Sequence, residues 1–320
     1  MNHRAKNNSL ATVTATELIE QDVQSSPELV GHAAKLCLFD ELEPWQQDNH
    51  YLISGYVRLT GSVRGCVASL AYLHNESVNI YSHLLPGLST LWYVHHYVAT
   101  KLEIYPTYFG WERFNLMMFA MAATTCFAMS ASFHTMKSHS HDVYRSCNQL
   151  DYFGIVVMIC VSLISIVLFA FHDHQGWVLV FTATFVALAS VCTVVTLDPQ
   201  FRSPKYRPFR SMMFSVFGLS GIFPIVVSIQ VYGYTEAIAR THAWWLLAEG
   251  GLYLGGAAIY ALRLPERWGC HSHRQGTFDY FGHSHQIFHV MVVIAAYCHW
   301  RSLLGAYSYL HENLVTGVTA

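Results

Sequence analysis

Apolar residues in this chain gather in long, nearly charge-free stretches rather than alternating with polar ones. Seven such stretches occur, at roughly 81–100, 114–135, 150–171, 177–197, 211–233, 244–263 and 284–307. Each approaches the ~20 residues that an α-helix needs to cross a bilayer. The pattern predicts an all-α polytopic membrane protein with seven transmembrane helices. Gly and Pro inside the stretches (Pro86, Pro224, Gly250, Gly251, Gly255, Gly256) do not argue against this, because membrane helices tolerate them. The glycine-rich face of the sixth stretch predicts close approach of a neighbouring helix. Trp92, Tyr93, Trp177, Trp244 and Trp245 sit near stretch ends, where interfacial aromatic belts form.

The chain before residue 81 follows a different pattern. The first 30 or so residues are rich in Ser, Thr, Asn and Gln without apolar periodicity, which predicts disorder. Residues 29–45 fit an amphipathic helix that stops near Pro44, and 62–73 fit a second helix along the membrane surface. The expected organisation is a disordered or weakly ordered cytoplasmic tail (1–44), a juxtamembrane segment (45–80), the seven-helix domain (81–308) and a short C-terminal tail (309–320).

Composition supports the membrane reading. Hydrophobic residues make up 53% and charged residues 12%, about half the charge of a typical soluble protein. A net charge of −2 gives no footing for nucleic acid. The eight cysteines are scattered without a CxxC pair, and several lie in apolar runs, so no disulfide framework is expected. The polar N-terminus does not read as a cleavable signal peptide. Lys137 and Arg145, then Arg202, Lys205, Arg207 and Arg210, then Arg263, Arg267 and Arg274 fall in loops on one side. Lys101, Arg113 and Arg240 fall on the other. The positive-inside rule then puts the N-terminus in the cytoplasm and the C-terminus outside.

Polar groups within the stretches are costly and are functional candidates by default. His285 and His289 are four residues apart at the start of the seventh stretch, on one helix face. Ser130 and His134 have the same spacing at the end of the second, and Asp151 lies near the start of the third. Counting crossings places all five near the cytoplasmic leaflet. Three neutral imidazoles suit Zn²⁺ and leave a fourth position for water. Asp151 is placed to ligate directly, or to hold that water and act as general base. Taken singly, blander roles compete: Ser130 bonding back to its own helix, His134 as an interfacial residue, Asp151 as an N-cap. Together those roles leave three histidines and an acid at one depth without a reason.

Other polar positions carry weaker signals. Glu249 would snorkel or pack against a polar neighbour. Glu76, Asn79 and His83 read as capping and anchoring the first span. Cys270, His271, His273 and His283, or His139 and His141, are candidates for a second metal, although loop histidines are usually solvated.

The segments ESVNIYSHLLPG (76–87), SASFHTMKSHS (130–140), LDYFGI (150–155), LRLPERW (262–268) and FGHSHQIFHV (281–290) resemble the progestin and adipoQ receptor family. That family includes adiponectin receptors, fungal zinc-homeostasis proteins and hemolysin III-like proteins, and the resemblance suggests a fungal zinc-homeostasis member. The resemblance covers about residues 45–308. It implies seven helices with a cytoplasmic N-terminus, zinc held by His134, His285 and His289, Asp151 holding the water, and Ser130 close by. Alkaline ceramidases share this pattern, which implies hydrolysis of a ceramide-like lipid amide. GCHSHRQG (269–276) departs from the family pattern in length and histidine content.

Three functions follow as expectations. The first is a zinc-dependent lipid amide hydrolase acting in lipid and zinc homeostasis. The second is a receptor or regulator with structural zinc and an extracellular protein ligand. The third is a hemolysin III-type channel, disfavoured because the outer halves of spans two, three and seven read as apolar. A retinal protein is disfavoured because the seventh span has no lysine. A G-protein-coupled receptor is disfavoured by the cytoplasmic N-terminus.

Overall fold

A computed structural model of the protein describes residues 35–101, 110–202, 204–271 and 276–316. The chain is overwhelmingly helical. After a two-residue antiparallel ladder, β1 (Leu36–Cys37) with β2 (Tyr56–Val57), the helices are α1 (Val63–Ala68), α2 (Ser77–Lys101), α3 (Gly110–Met136), α4 (His141–Ala170) and α5 (Gln175–Leu197). They continue with α6 (Arg207–Leu219), α7 (Ile222–Tyr232), α8 (Tyr234–Thr241), α9 (Ala243–Leu262), α10 (Glu266–His271) and α11 (Ser284–Thr316).

Six helical stretches are long and apolar enough to cross a bilayer: 110–136, 141–170, 175–197, 208–232, 243–269 and 284–315. The protein is therefore an integral, multi-pass, all-α membrane protein. At 25 residues α2 matches their length, but Asn79, Ser82, His83 and two further histidines dilute its apolar content.

The long helices form a ring in chain order. α2 packs on α3, α3 on α4, α4 on α5, α5 and α4 on α6, α6 on α9, α9 on α11, and α11 returns to α2. Helix α11 also touches α3 and α4, so these three meet in the interior. Two apolar cores fill the ring. One joins Leu116, Phe119 and Phe127 of α3 to Met158 and Phe169 of α4 and to Val292, Ala296 and Leu303 of α11. The other joins Val156, Val167, Phe181, Phe185 and Phe217. Outward faces carry bare apolar side chains, among them Leu179, Val194, Phe223 and Trp244. Such a surface is at home in lipid and out of place in water.

Four helix details depart from the sequence reading. The predicted fifth span is interrupted at Ser220–Gly221 between α6 and α7, where a Cβ on Gly221 would press to 2.6 Å of Leu163. α4 begins at His141, nine residues before the apolar stretch, because HDVYRSCNQ is helix-compatible and Ser140 precedes it in extended conformation. Asp151 is thus well inside the helix and is not an N-cap. The expected surface helix exists but is short: α1 starts on the Ser62 hydroxyl, which accepts from Gly65 N, and passes into a 3₁₀ turn at Ser69–Ala71.

The boundary expected at residue 44 also falls inside folded chain. Described structure begins before it, and in place of the expected amphipathic helix the chain makes β1 and a 3₁₀ turn, Phe39–Glu41. Cys37, Leu42, Leu52 and Tyr56 pack as a small core of their own. Leu38 N donates to the Glu41 carboxylate at 2.8 Å, which favours the turn over a continued helix. Asp279 fastens the segment to the bundle by accepting from Ile53 N at 3.0 Å and from the Ser54 hydroxyl. The end of the bundle bearing this segment is called proximal below, and the opposite end distal.

Candidate metal centre

Helix α3 delivers His134 at its proximal end, and α11 delivers His285 and His289 from its first two turns. One ring nitrogen from each lies within 4.8 Å of the other two. His134 Nε2 and His285 Nε2 are 3.2 Å apart. Two nitrogens ~2.0–2.1 Å from one ion at the tetrahedral angle would be about 3.3 Å apart. The spacing therefore fits a single small cation. The far ring nitrogens of His134 and His289 are held as metal-binding imidazoles require. Glu76 accepts from His134 Nδ1–H at 2.8 Å, and the Asn79 carbonyl accepts from His289 Nδ1–H at 3.1 Å. In both rings the Nε2 lone pair is left for the centre. His83 stacks on His289 with centroids 3.9 Å apart, clamping that ring from the α2 side.

Glu76 plays a larger part than its sequence position implied. Besides His134 it accepts from Lys137 Nζ and from Asn79 Nδ2 at 2.6 Å. Burial opposes ionisation of this carboxyl, but Lys137 and His134 outweigh it and hold the group well below the usual carboxylate range. Burial works against the Lys137 ammonium too, and the Glu76 charge more than reverses that, raising it. A buried carboxylate fixed between an ammonium and an imidazole orients the ring and supplies negative charge behind it. The sequence signal for it was the Glu-x-x-Asn-x-x-x-His run at 76–83, which also reads as a cap.

Asp151 and Ser130 meet next to this cluster. The Ser130 hydroxyl bonds Asp151, and the carboxyl lies close enough to His134 for their charges to interact. Asp151 is not among the three mutually close ligands, so it stands beside the cluster rather than completing it. A cavity of about 480 Å³ reaches Asp151, His134 and His285. Its walls include Trp45, Asn49 and Tyr56 from the proximal segment and Tyr144, Tyr152 and Tyr260 from the helices. The site is thus buried in the bundle but adjoins a space large enough for part of a small ligand.

The remaining candidates separate. His283 is buried and contacts the Asn75 carbonyl at 3.2 Å. His139 bonds Ser140 at 3.0 Å, and His141 lies against the Trp45 ring. His273 and the side chains of Cys270 and His271 lie outside the described residues. Among the described residues only His134, His285 and His289 form a metal-type cluster. Glu249 does find a polar neighbour: His299 Nδ1 lies 2.8 Å from its carboxylate.

Fold and site together define an all-α, multi-pass membrane bundle with three inward histidines near one end. Comparison with known proteins places it more closely. Residues 71–300 match the family model described as Haemolysin-III related. The chain is similar to "ADIPOR-like receptor IZH1" of Eremothecium gossypii, 37% identical over 93% of each chain. It is also similar to "ADIPOR-like receptor IZH2" of Saccharomyces cerevisiae, 37% identical over 89% of this chain and 88% of the relative. With the adiponectin receptor protein of Drosophila melanogaster it shares 33% identity over 84% of this chain and 59% of the relative. The chain belongs to this haemolysin-III-related, adiponectin-receptor-like family.

Proposed function

We propose that the protein is a zinc-dependent lipid amide hydrolase of ceramidase type that acts in lipid and zinc homeostasis signalling. What carries the reading is the open three-histidine cluster with an acid beside it and a cavity reaching both. His134, His285 and His289 would hold the ion, and Glu76 keeps His134 in the ligating tautomer. Zinc, when bound, supplies a Lewis acid for the amide carbonyl and makes water a better nucleophile near neutral pH. Asp151 accepts the proton of the attacking water and delivers it to the departing amine, so that one C–N bond is exchanged for one C–O bond. Ser130 gives its hydroxyl hydrogen to the carboxyl of Asp151 and so orients the general base. A ceramide-like substrate enters from the bilayer, and the tyrosines of the cavity wall supply hydroxyls for its polar head.

α2 is taken as the first of seven spans, with the proximal end in the cytoplasm, where loop Lys and Arg concentrate. A receptor reading, with structural zinc and an extracellular protein ligand, is favoured by the receptor names of the relatives. It also draws on the folded segment that walls the cavity. The two readings part at Asp151. In the hydrolase Asp151→Asn abolishes amide hydrolysis and keeps the metal, whereas in a receptor with structural zinc it leaves signalling intact.

A further inference from the structure

Glu266 is a buried acid with no part in the proposed chemistry. It opens α10, just past the end of α9. α9 stops at Arg263, whose left-handed backbone (φ 54°) closes the helix, and Pro265 cannot continue it. The chain turns there and brings Glu266 against the start of α11. Glu266 Oε2 accepts from Ser284 N at 2.8 Å, and Oε1 accepts from the Ser284 hydroxyl. Oε1 also accepts from Asn49 Nδ2 of the proximal segment at 3.1 Å.

Ser284 is the first residue of α11 and His285 the second. A helix leaves its first N–H groups without partners of its own. His283 stands in the N-cap position, since its carbonyl accepts from Ile287 N at 3.2 Å. Histidine is not among the side chains that cap well, and its ring lies on the Asn75 carbonyl instead. The cap for Ser284 N therefore comes from another element, and an acid suits the positive end of a helix. Gln286 clamps the same turn from the loop side, accepting from Gly282 N at 2.7 Å and donating to the Tyr280 carbonyl at 2.9 Å.

α9 and α10 run along α11 in antiparallel register. A Cβ on Gly256 would stand 3.0 Å from Phe288. The Tyr260 ring lies 5.0 Å from that of His285, centroid to centroid, and 5.6 Å from that of Phe288. Glu266 then meets Ser284. Tyr260 thus bears on the ring of His285, and Glu266 on the backbone just before it. His285 Nε2 sits 3.2 Å from His134 Nε2, and a binding constellation tolerates displacements of only ~0.5 Å. Helix ends fray, and a frayed first turn would carry His285 out of that range.

We propose that Glu266 is a positioning residue of the metal centre: it holds the first turn of α11 so that His285 presents Nε2 towards His134. The inference rests on the metal-binding role proposed for the three histidines. The contact with Asn49 is a separate matter. Arg263 donates to the Asn49 side chain at 3.3 Å and to the Asp48 carbonyl at 2.6 Å, so Asn49 fastens the cavity wall, whereas Ser284 fastens the metal helix. The two contacts of Glu266 can be removed one at a time.

The test is metal binding by the folded full-length protein in detergent. Co²⁺ is the direct probe, since its visible bands report ligand geometry, and Zn²⁺ is measured in competition. Wild type is compared with Glu266→Gln, Glu266→Ala and Asn49→Ala. In Glu266→Gln the charge at the helix start is gone, so the metal-free turn frays and binding must re-form it. Affinity is expected to fall roughly fivefold, and the cobalt bands to change shape. Glu266→Ala should lose about tenfold or more. Asn49→Ala keeps both Ser284 bonds. It should lower the thermal midpoint yet stay within about twofold of wild-type affinity, as separate contacts do. Wild-type affinity with wild-type bands in Glu266→Gln overturns the proposal, even if Glu266→Ala does not fold. An equal loss of affinity in Asn49→Ala also overturns it. A folded wild type that binds neither metal overturns it together with the role it rests on.

Discussion

At the scale of single residues, the proximal site turns on how imidazoles are held. A histidine can present Nε2 to a cation only if Nδ1 keeps its hydrogen, and for His134 that hydrogen is given to Glu76. Glu76→Gln keeps the shape but offers a weaker, neutral acceptor and leaves Lys137 without its counter-charge. Removing such an outer partner typically costs 10–100-fold in metal affinity, and that loss is expected in a competitive zinc titration of the purified variant. The three histidines and Asp151 were legible in the sequence because i, i+4 spacing and the counting of crossings converge on them. Glu76 was not, since an acid beside a helix start reads equally well as a cap. Glu249 was legible as packing against a polar neighbour, which His299 supplies at 2.8 Å. The Glu112–His311 contact was not, because both residues lie outside the apolar runs and only helix packing brings them together.

At the scale of elements, the site depends on α3 and α4 staying close, since they carry His134 and Asp151 on facing surfaces. Gly154 makes that possible: a Cβ there would stand 3.0 Å from Cys126 Cα, a backbone atom that cannot swing aside. Gly154→Val is expected to cost about 1–3 kcal/mol through overpacking. It should lower the thermal midpoint in detergent and also weaken metal retention, because the helices separate one turn from Asp151. A second element-scale contact lies at the distal end. There Arg240 grips Asp173 at 2.8 and 3.0 Å and Glu236 at 2.8 Å. Burial opposes the Asp173 charge, but bonds from Arg240 and Tyr232 prevail and bring its carboxyl down to about 2. A depressed carboxyl stabilises the fold above its unfolded value, near 3.9, and that stability is lost as pH falls through about 2. The Asp173 side chain is 38% exposed, so screening reduces the effect to ~1 kcal/mol. Asp173→Asn should lower the thermal midpoint at pH 7 and erase most of the difference from wild type by pH 2. The long helices themselves were readable from apolar run length. The helix start at His141, the break at Ser220–Gly221 and the folded segment from Leu36 were not, because they depend on contacts outside the runs.

At the scale of the whole molecule, the ring of helices turns ordinary soluble-protein logic outward, with apolar side chains on the lipid face and polar layers inside. If α2 is the first of seven crossings, the two chain ends lie on opposite sides. In sealed cells an N-terminal epitope tag should then be protected from external protease and a C-terminal tag cleaved. Equal protection of both tags would instead mean an even number of crossings. The role proposed for the proximal cluster is metal-assisted amide hydrolysis. Its most direct test is zinc content measured alongside ceramide hydrolysis in wild type, Asp151→Asn and His285→Ala. That role predicts zinc near one equivalent with activity in wild type, zinc retained with activity lost by about 10²-fold or more in Asp151→Asn, and both lost in His285→Ala. Undiminished hydrolysis in zinc-loaded Asp151→Asn, or none in zinc-loaded wild type where a known ceramidase is active, would contradict it.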